Sequence, residues 1–340
     1  MRTISYIAKA ALFAALLSSA ASMVSAQSIP TTEERIVFDV SPEFPRGNQT
    51  VTIEAESYQL DINRAFITWY VNGVAAASGA GKKLFTVSSG DLGTKTVVAA
   101  VAQTAAGQAY QKEITIQPAD VDLVWEAEGY APPFYRGKPL HVAGGDLRVV
   151  AMPSFVQTSG RVLDPAGLVY TWKREGTIMA ADSGFGKNVF MLKSSTLNTM
   201  PRVSVEVSSP GKELRASATE RVQAGAPKVL LYEEDPLMGP LYERALPASI
   251  SMGREELTVI AAPYFFSKET EGALPDLLFA WRINGKKSGV ADRRLTVRSG
   301  AAPGRAGVAV QVSSQARALQ SAARSFSVAF GKTAVNPFGL

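Results

Sequence analysis

The chain has 340 residues, 46% of them apolar and 19% charged, with a formal net charge of +5. That length suggests two or three domains of about 100–200 residues each. It holds no cysteine and a single histidine, His141, which excludes disulfide frameworks and thiolate metal centres, and most Ser-His-Asp or histidine-rich zinc arrangements.

The first element predicted is a targeting leader over residues 1–26. Arg2 and Lys9 supply positive charge, "AALFAALLSSAASMV" from Ala10 is the apolar stretch, and "VSA" ending at Ala26 is a small-residue cleavage pattern. The alternative is an uncleaved N-terminal anchor, but the apolar stretch is short and broken by serines. Cleavage would lower the net charge to 5 − 2 = +3, too modest for a dedicated nucleic-acid binder. No later stretch has the length and apolarity of a membrane span. The expected mature protein is therefore secreted or extracytoplasmic, and doing without cysteine there suits a bacterial source.

The rest of the chain repeats one plan three times, over 27–118, 119–225 and 226–332, with a tail at 333–340. Each unit opens on an apolar strand: "RIVFDV", "VDLVWEAEGY" and "PKVLLYEED". Phe38, Trp125 and Tyr232 read as equivalent positions in these openings. An alternating run follows, "QTVTIEAESY", "GDLRVVAMPSF" or "EELTVIAAPYF", the last two sharing an Ala–Pro–Phe ending near Ala151 and Ala262. Next come "ITWYVNG", "YTWKREG" and "FAWRING", built on Trp69, Trp172 and Trp281. In a strand, Ile67, Trp69 and Val71 share a side, as do Phe279, Trp281 and Ile283. Asn72-Gly73 and Asn284-Gly285 suit a tight turn, because both residue types tolerate positive φ. An indole with such apolar flanks is expected between two sheets as core rather than exposed for sugar stacking. Glycine-bearing connections at Ser78, Ser183 and Ser288 read as loops, and two further β-rich runs close each unit. Such short alternating runs, bounded by Gly, Pro, Asn and Ser, predict an all-β fold of three tandem sandwiches.

A unit of about 100 residues with a central "W-x-x-N-G" strand and strands ending in "V-x-V", as in "VSVEVSSPG" from Val203, resembles bacterial Ig-like and PKD-like domains. The resemblance covers nearly all of the chain beyond the leader. It implies a secreted or cell-surface scaffold, stalk or adhesive module without catalytic activity.

Candidate chemistry is sparse. Carboxylates cluster at Glu126/Glu128, at Glu233/Glu234/Asp235 and at Glu255/Glu256. Paired carboxylates about 5–9 Å apart would suit glycoside hydrolysis, and oxygen-rich groups at a domain junction would suit Ca²⁺. The plainer reading is solvated edge charge that discourages strand pairing between molecules. "SGAGK" and "SGFGK" lack the spacing of a phosphate loop. Between residues 282 and 332 stand ten basic residues, among them Arg282, Lys286, Lys287, Arg293, Arg294, Arg298 and Arg305, against one acidic, Asp292. Such a stretch could grip an anionic wall polymer or an acidic protein face; otherwise it is ordinary surface, balanced by acidic groups of residues 226–281. The expectation is a non-catalytic scaffold or adhesive protein, with an envelope or pilus-like assembly as its setting. One alternative is a carbohydrate binder displaying Tyr130, Phe134 and Tyr135, and a more remote one is a glycosidase. No cofactor is expected, Ca²⁺ apart.

Overall fold

A computed structural model describes residues 36–193, 199–268, 275–300, 302–317 and 319–331. The expected leader and the tail at 333–340 lie outside the described residues. Strands β1 (Val37–Ser41), β2 (Thr50–Glu56), β3 (Phe66–Val71), β4 (Val74–Ala80), β5 (Leu84–Ser88), β6 (Thr96–Gln103) and β7 (Ala109–Ile116) make the first sandwich. Its sheets run β1-β2-β5 and β4-β3-β6-β7. The second comprises β8 (Asp120–Ala127), β9 (Leu147–Ser154), β10 (Val169–Arg174), β11 (Thr177–Ile178), β12 (Gly184–Phe185), β13 (Val189–Leu192), β14 (Arg202–Ser208) and β15 (Arg215–Arg221). Its sheets run β13-β9-β8 and β11-β10-β14-β15, with β12 also on β10. The third comprises β16 (Lys228–Asp235), β17 (Gly239–Pro240), β18 (Ser249–Met252), β19 (Glu256–Tyr264), β20 (Leu277–Ile283), β21 (Lys286–Lys287), β22 (Arg294–Arg298), β23 (Gly304–Ser314) and β24 (Ser321–Phe330). Its sheets run β17-β16-β19-β22 and β18-β24-β23-β20-β21. The fold is all-β, and the strand order of an Ig-like sandwich occurs three times.

By internal contacts the described chain divides into two compact units. One takes in Ile53–Phe85, Val97–Ile114 and the described residues up to Asp39; the other takes in Val40–Thr52, Thr86–Thr96 and the described residues from Thr115 onward. In the first unit, Trp69 stacks between Phe38 and Phe85, with ring centroids 5.5 and 5.1 Å away, and Ile53, Ile67, Val98 and Ala100 are buried around it. In the second unit, Trp172 stacks on Phe190 at 5.4 Å inside a core with Val149, Leu168, Tyr170 and Val205. Burial pushes the Tyr170 phenol up to about 12, and its hydroxyl donates to the Pro165 carbonyl at 2.9 Å. The third core gathers Leu231, Val259, Phe266, Val310 and Val328 around Trp281.

Each indole is fully buried, so its N–H needs a partner inside the protein. Trp69 Nε1 donates to the Lys82 carbonyl, Trp172 Nε1 to that of Lys187 and Trp281 Nε1 to that of Asp292, each at 2.8 Å. Every acceptor lies two residues before a strand of the facing sheet, β5, β13 or β22. Every acceptor is also the fifth residue of a stretch opening with Ser-Gly, at Ser78, Ser183 and Ser288. Those stretches are thus the place where each indole is pinned. They are not uniformly loops: Ser78 and Gly79 lie in β4, which is extended along β3 by an irregularity at Trp69/Tyr70.

The turns after the tryptophans are built alike. Asn72, Glu175 and Asn284 hold φ of 50°, 49° and 49°, and the glycines after them 81°, 84° and 79°. Asn72 Oδ1 accepts from Val97 N, Glu175 Oε1 from Arg202 N and Asn284 Oδ1 from Gly307 N. Each turn residue also donates its own N–H to the neighbouring strand, at Val97, Arg202 and Gly307. The side-chain acceptor thus ties the hairpin to the next strand. In the second copy a glutamate does this in a left-handed conformation that costs about 1–2 kcal/mol outside Gly and Asn.

Two sequence expectations need correction. The ladders pair Leu123 with Ala151 and Leu231 with Ala261; Ala151 and Ala261 lie in their cores while Ala262 lies in a cluster outside, so Ala261, not Ala262, matches Ala151. By that register Trp125 corresponds to Glu233, and Tyr232 faces the opposite side of its sheet. Trp125 packs on the second core, whereas Tyr232 joins a cluster outside the third core. Second, β18 pairs in parallel with β24, in a fold otherwise expected to be antiparallel. The chain crosses from one sheet to the other after β17, which places β18 beside the last strand.

Replacing Trp172 by Ala removes a side chain worth about 3–5 kcal/mol, and urea unfolding should show a loss of that order. Replacing Glu175 by Asn keeps a side-chain acceptor and suits the left-handed turn. The expected gain is up to about 1 kcal/mol, read as a higher unfolding midpoint with an unchanged slope.

Candidate functional site

The expected acidic sites are dispersed among arginines and turns. Glu233 pairs with Arg254. Glu234 receives three hydrogen bonds from the Arg294 guanidinium, at 2.8–3.1 Å, which hold that arginine more firmly protonated than usual. Asp235 spends its carboxylate on the amides of Leu237 and Met238, at 2.8 and 3.1 Å. Glu256 pairs with Arg298 at 2.7 Å. Glu126 is exposed on β8 opposite Arg148, and Glu128 donates its backbone N–H to the Asp146 carbonyl. Among the described residues no group of three or more His, Cys, Asp or Glu side chains is placed to hold a metal ion.

The basic stretch is divided between two sheets. Arg294 and Arg298 lie on β22, across from β16 and β19, where Glu234 and Glu256 answer them. Arg282, Lys286, Lys287 and Arg305 lie on β20, β21 and β23 of the other sheet and are exposed. Arg282 donates to its own turn at Gly285 O, 3.2 Å away. Arg293, between the two sets, lies close enough to the Tyr130 phenol to oppose the upward push that burial gives it.

What the structure assembles instead is an aromatic joint within the second unit, between the second and third sandwiches. Phe134 stacks on Tyr242 at 3.8 Å and meets the edges of Tyr232 and Tyr264. Tyr135 meets Tyr264 and Phe265 edge-on. The hydroxyls of Tyr232 and Tyr264 are 2.9 Å apart in a buried pair, and burial raises the Tyr264 phenol far above its ordinary value, aided by that bond. The backbone joins too. Tyr130 N donates to Phe266 O at 2.7 Å, Phe265 N donates to Tyr130 O at 2.5 Å, and Gly129 bridges Ser267. Phe265 holds φ 67°, which sends its ring into the joint and Phe266 into the third core. Tyr130, Phe134 and Tyr135, which the carbohydrate-binding alternative would display, thus make contacts with protein here, although Tyr135 stays 37% exposed.

Beside β17 and β18 lies a groove of roughly 610 Å³ with Leu241, Leu246, Ile250 and Leu257 in its lining and the Glu233–Arg254 pair among its charged groups. The adjoining turn presents Leu237 and Met238 almost fully to solvent, 97% and 74% exposed. Among the described residues no helix is long and apolar enough to cross a membrane.

No family model matches the sequence, and no curated protein does. Solved structures resemble it at low identity. One holds three N-terminal domains of the Highly Immunogenic Outer Capsid protein of bacteriophage RB49, at 12% identity and TM-score 0.26, covering 87% of this chain and 98% of that one. Another is the central fibronectin-III array of RIM-binding protein, at 13% identity and TM-score 0.29, covering 88% and 98%. A third, from a study of host cell surface retention of a bacterial ice-binding adhesin, has 14% identity and TM-score 0.22, covering 87% and 98%. Likenesses this distant add nothing to what the sheets of this chain show by themselves: it is a tandem Ig-like β-sandwich protein.

The tyrosine pair gives a direct test of the joint. Tyr264→Phe strands the Tyr232 hydroxyl in a buried setting, at a cost of about 1–3 kcal/mol. Replacing both tyrosines by Phe should recover most of that loss, because no buried hydroxyl is then left without its partner. Denaturant midpoints of the two single variants and the double variant measure it.

Proposed function

We propose that this chain is a non-catalytic scaffold or adhesive protein that works outside the cytoplasm, possessing a leader over 1–26 and sandwiches bounded at 27–118, 119–225 and 226–332. The observation that carries this reading is the fate of the acidic groups. Glu233, Glu234 and Glu256 each face an arginine, and Asp235 caps its own turn. A hydrolase needs one carboxylate as acid and another as base or nucleophile about a bond. These carboxylates instead stabilise strands and turns, and the buried aromatics lock the second and third sandwiches together. That is the arrangement of a spacer.

The surface offered to a partner is the outer sheet of the third sandwich, where, among the described residues, no carboxylate pairs with Arg282, Lys286, Lys287 or Arg305 as Glu234 and Glu256 pair with β22. Its partner class is an acidic envelope polymer or an acidic protein face, as part of an envelope or pilus-like assembly; nucleic acid is not the expected target. At Glu233, Glu234 and Asp235 guanidinium and backbone N–H groups already meet the carboxylates without Ca²⁺.

Pull-down of envelope fractions at low and at high salt tests the reading. Retention at low salt should fall steeply by about 0.5 M salt, as screening shortens the reach of exposed charge. It should also fall when Arg282, Lys286 and Lys287 are all replaced by Ala. Salt-independent retention, or retention that survives the triple change, would remove this surface. Release of reducing sugar from envelope polysaccharide would remove the non-catalytic reading.

A further inference from the structure

We propose that the joint between the second and third sandwiches is acid-sensitive, and that His141 is the group that makes it so. The imidazole is the chain's only one and is 1% exposed. Neither Nδ1 nor Nε2 has a hydrogen-bond partner among the described residues. It sits in the connection between β8 and β9, and this connection is built into the joint from several sides. The His141 carbonyl accepts from Gly225 N at 2.7 Å. Val142 packs with Tyr232, Ile260, Tyr264 and Phe265 of the third sandwich. The Ala143 carbonyl accepts from Gln320 Nε2 at 3.1 Å, and the same buried amide holds Ser267 through both its nitrogen and its oxygen. Asp146 reaches Arg317 at 3.5 Å, while its Oδ1 is buried without a partner.

A neutral imidazole in such a place loses hydrogen bonds to water. A charged one also loses most of its solvation, which is the larger penalty. The groups that could offset that penalty are few. Asp146, on the same connection, is the acid that attracts the proton, and Arg317, from the connection between β23 and β24, already pairs with it. The segments at Gly225, at Ser267 and at Gln320 bring neutral groups. Burial therefore outweighs Asp146 and holds the imidazole below its ordinary range.

The direction of the pH effect follows by linkage. Above about pH 6.5 the imidazole is neutral whether the joint is closed or open, and the proton has no influence. Below that value an opened joint takes up a proton that the closed joint refuses, so opening becomes easier with each step toward acid. The effect levels off once the pH passes the depressed value of the closed state. One proton linked to opening changes the opening constant by at most about tenfold per pH unit.

Hydrogen exchange of the whole chain between pH 7.5 and 5 reads this, after correction for intrinsic exchange. Protection at the Tyr130 and Phe265 amides, which donate across the joint, and at the Gly225 amide, which donates to the His141 carbonyl, should fall by up to about tenfold per pH unit below about 6.5. The amides of β14, in the second core, should stay level over the same range. His141→Leu should abolish the fall at the joint, and His141→Gln, which carries no titrating group, should do the same if the leucine variant fails to fold. Asp146→Asn removes the attracting carboxylate, so the fall should still begin below about pH 6.5 but continue to lower pH before it levels off. A level wild-type profile overturns the proposal by itself, whatever the variants do. So does a slope that persists without the imidazole, which would assign the acid response to another group.

Discussion

The bond from a buried indole to a carbonyl on the facing sheet organises this protein. Each of Trp69, Trp172 and Trp281 removes a large apolar surface from water, worth about 4–6 kcal/mol at ~25 cal/mol/Å² for 150–250 Å². Apolar burial alone is not directional. The N–H supplies direction, because leaving it unmatched inside the core would cost about 1–3 kcal/mol. Its acceptor always lies two residues before a strand of the opposite sheet. The bond therefore sets how far one sheet can slide over the other. The turn after each Trp, tied to its neighbour strand by Asn72, Glu175 or Asn284, fixes the same strand from its other end.

This explains why one phrase of the sequence returns while so much around it varies. The separation from indole to acceptor is 13, 15 and 11 residues in the three copies. The loop may lengthen or shorten so long as a carbonyl arrives at the indole, and any residue type can supply a carbonyl. Lys82, Lys187 and Asp292 do so without their side chains taking part in that bond. What the chain repeats is geometry enforced through the backbone, which leaves a weak trace in side-chain identity.

The alternating runs, the buried tryptophans and the Asn-Gly turns were legible because each is a local pattern with a local cause. The joint was not, because it depends on which sheet covers which. Its trace was nevertheless present in "VIAAPYFF". A strand with one wet face alternates, whereas this run is apolar without a break from Val259 to Phe266, as a strand covered on both faces must be. Reading it as an alternating strand put Ala262 in place of Ala261, and Tyr232 in place of its neighbour. The basic stretch misleads for a related reason: contiguous residues are shared between two sheets, so ten charges close in sequence do not make one field in space.

The same double burial explains why the third sandwich bears the irregular features. Once the outer face of β16 and β19 is covered by the second sandwich, residues on both sides of those strands must be apolar. Unbroken alternation past Tyr264, which faces the joint, would turn Phe265 into the core and Phe266 outward; instead Phe265 stays on the joint side and Phe266 enters the core. The left-handed φ of Phe265 breaks that alternation and keeps two consecutive rings, Tyr264 and Phe265, at the joint. It is tolerated because Tyr130 meets the exposed backbone there with two hydrogen bonds. The cost of the strained residue and the closure of the joint are thus a single event, and a joint that opens would release both together.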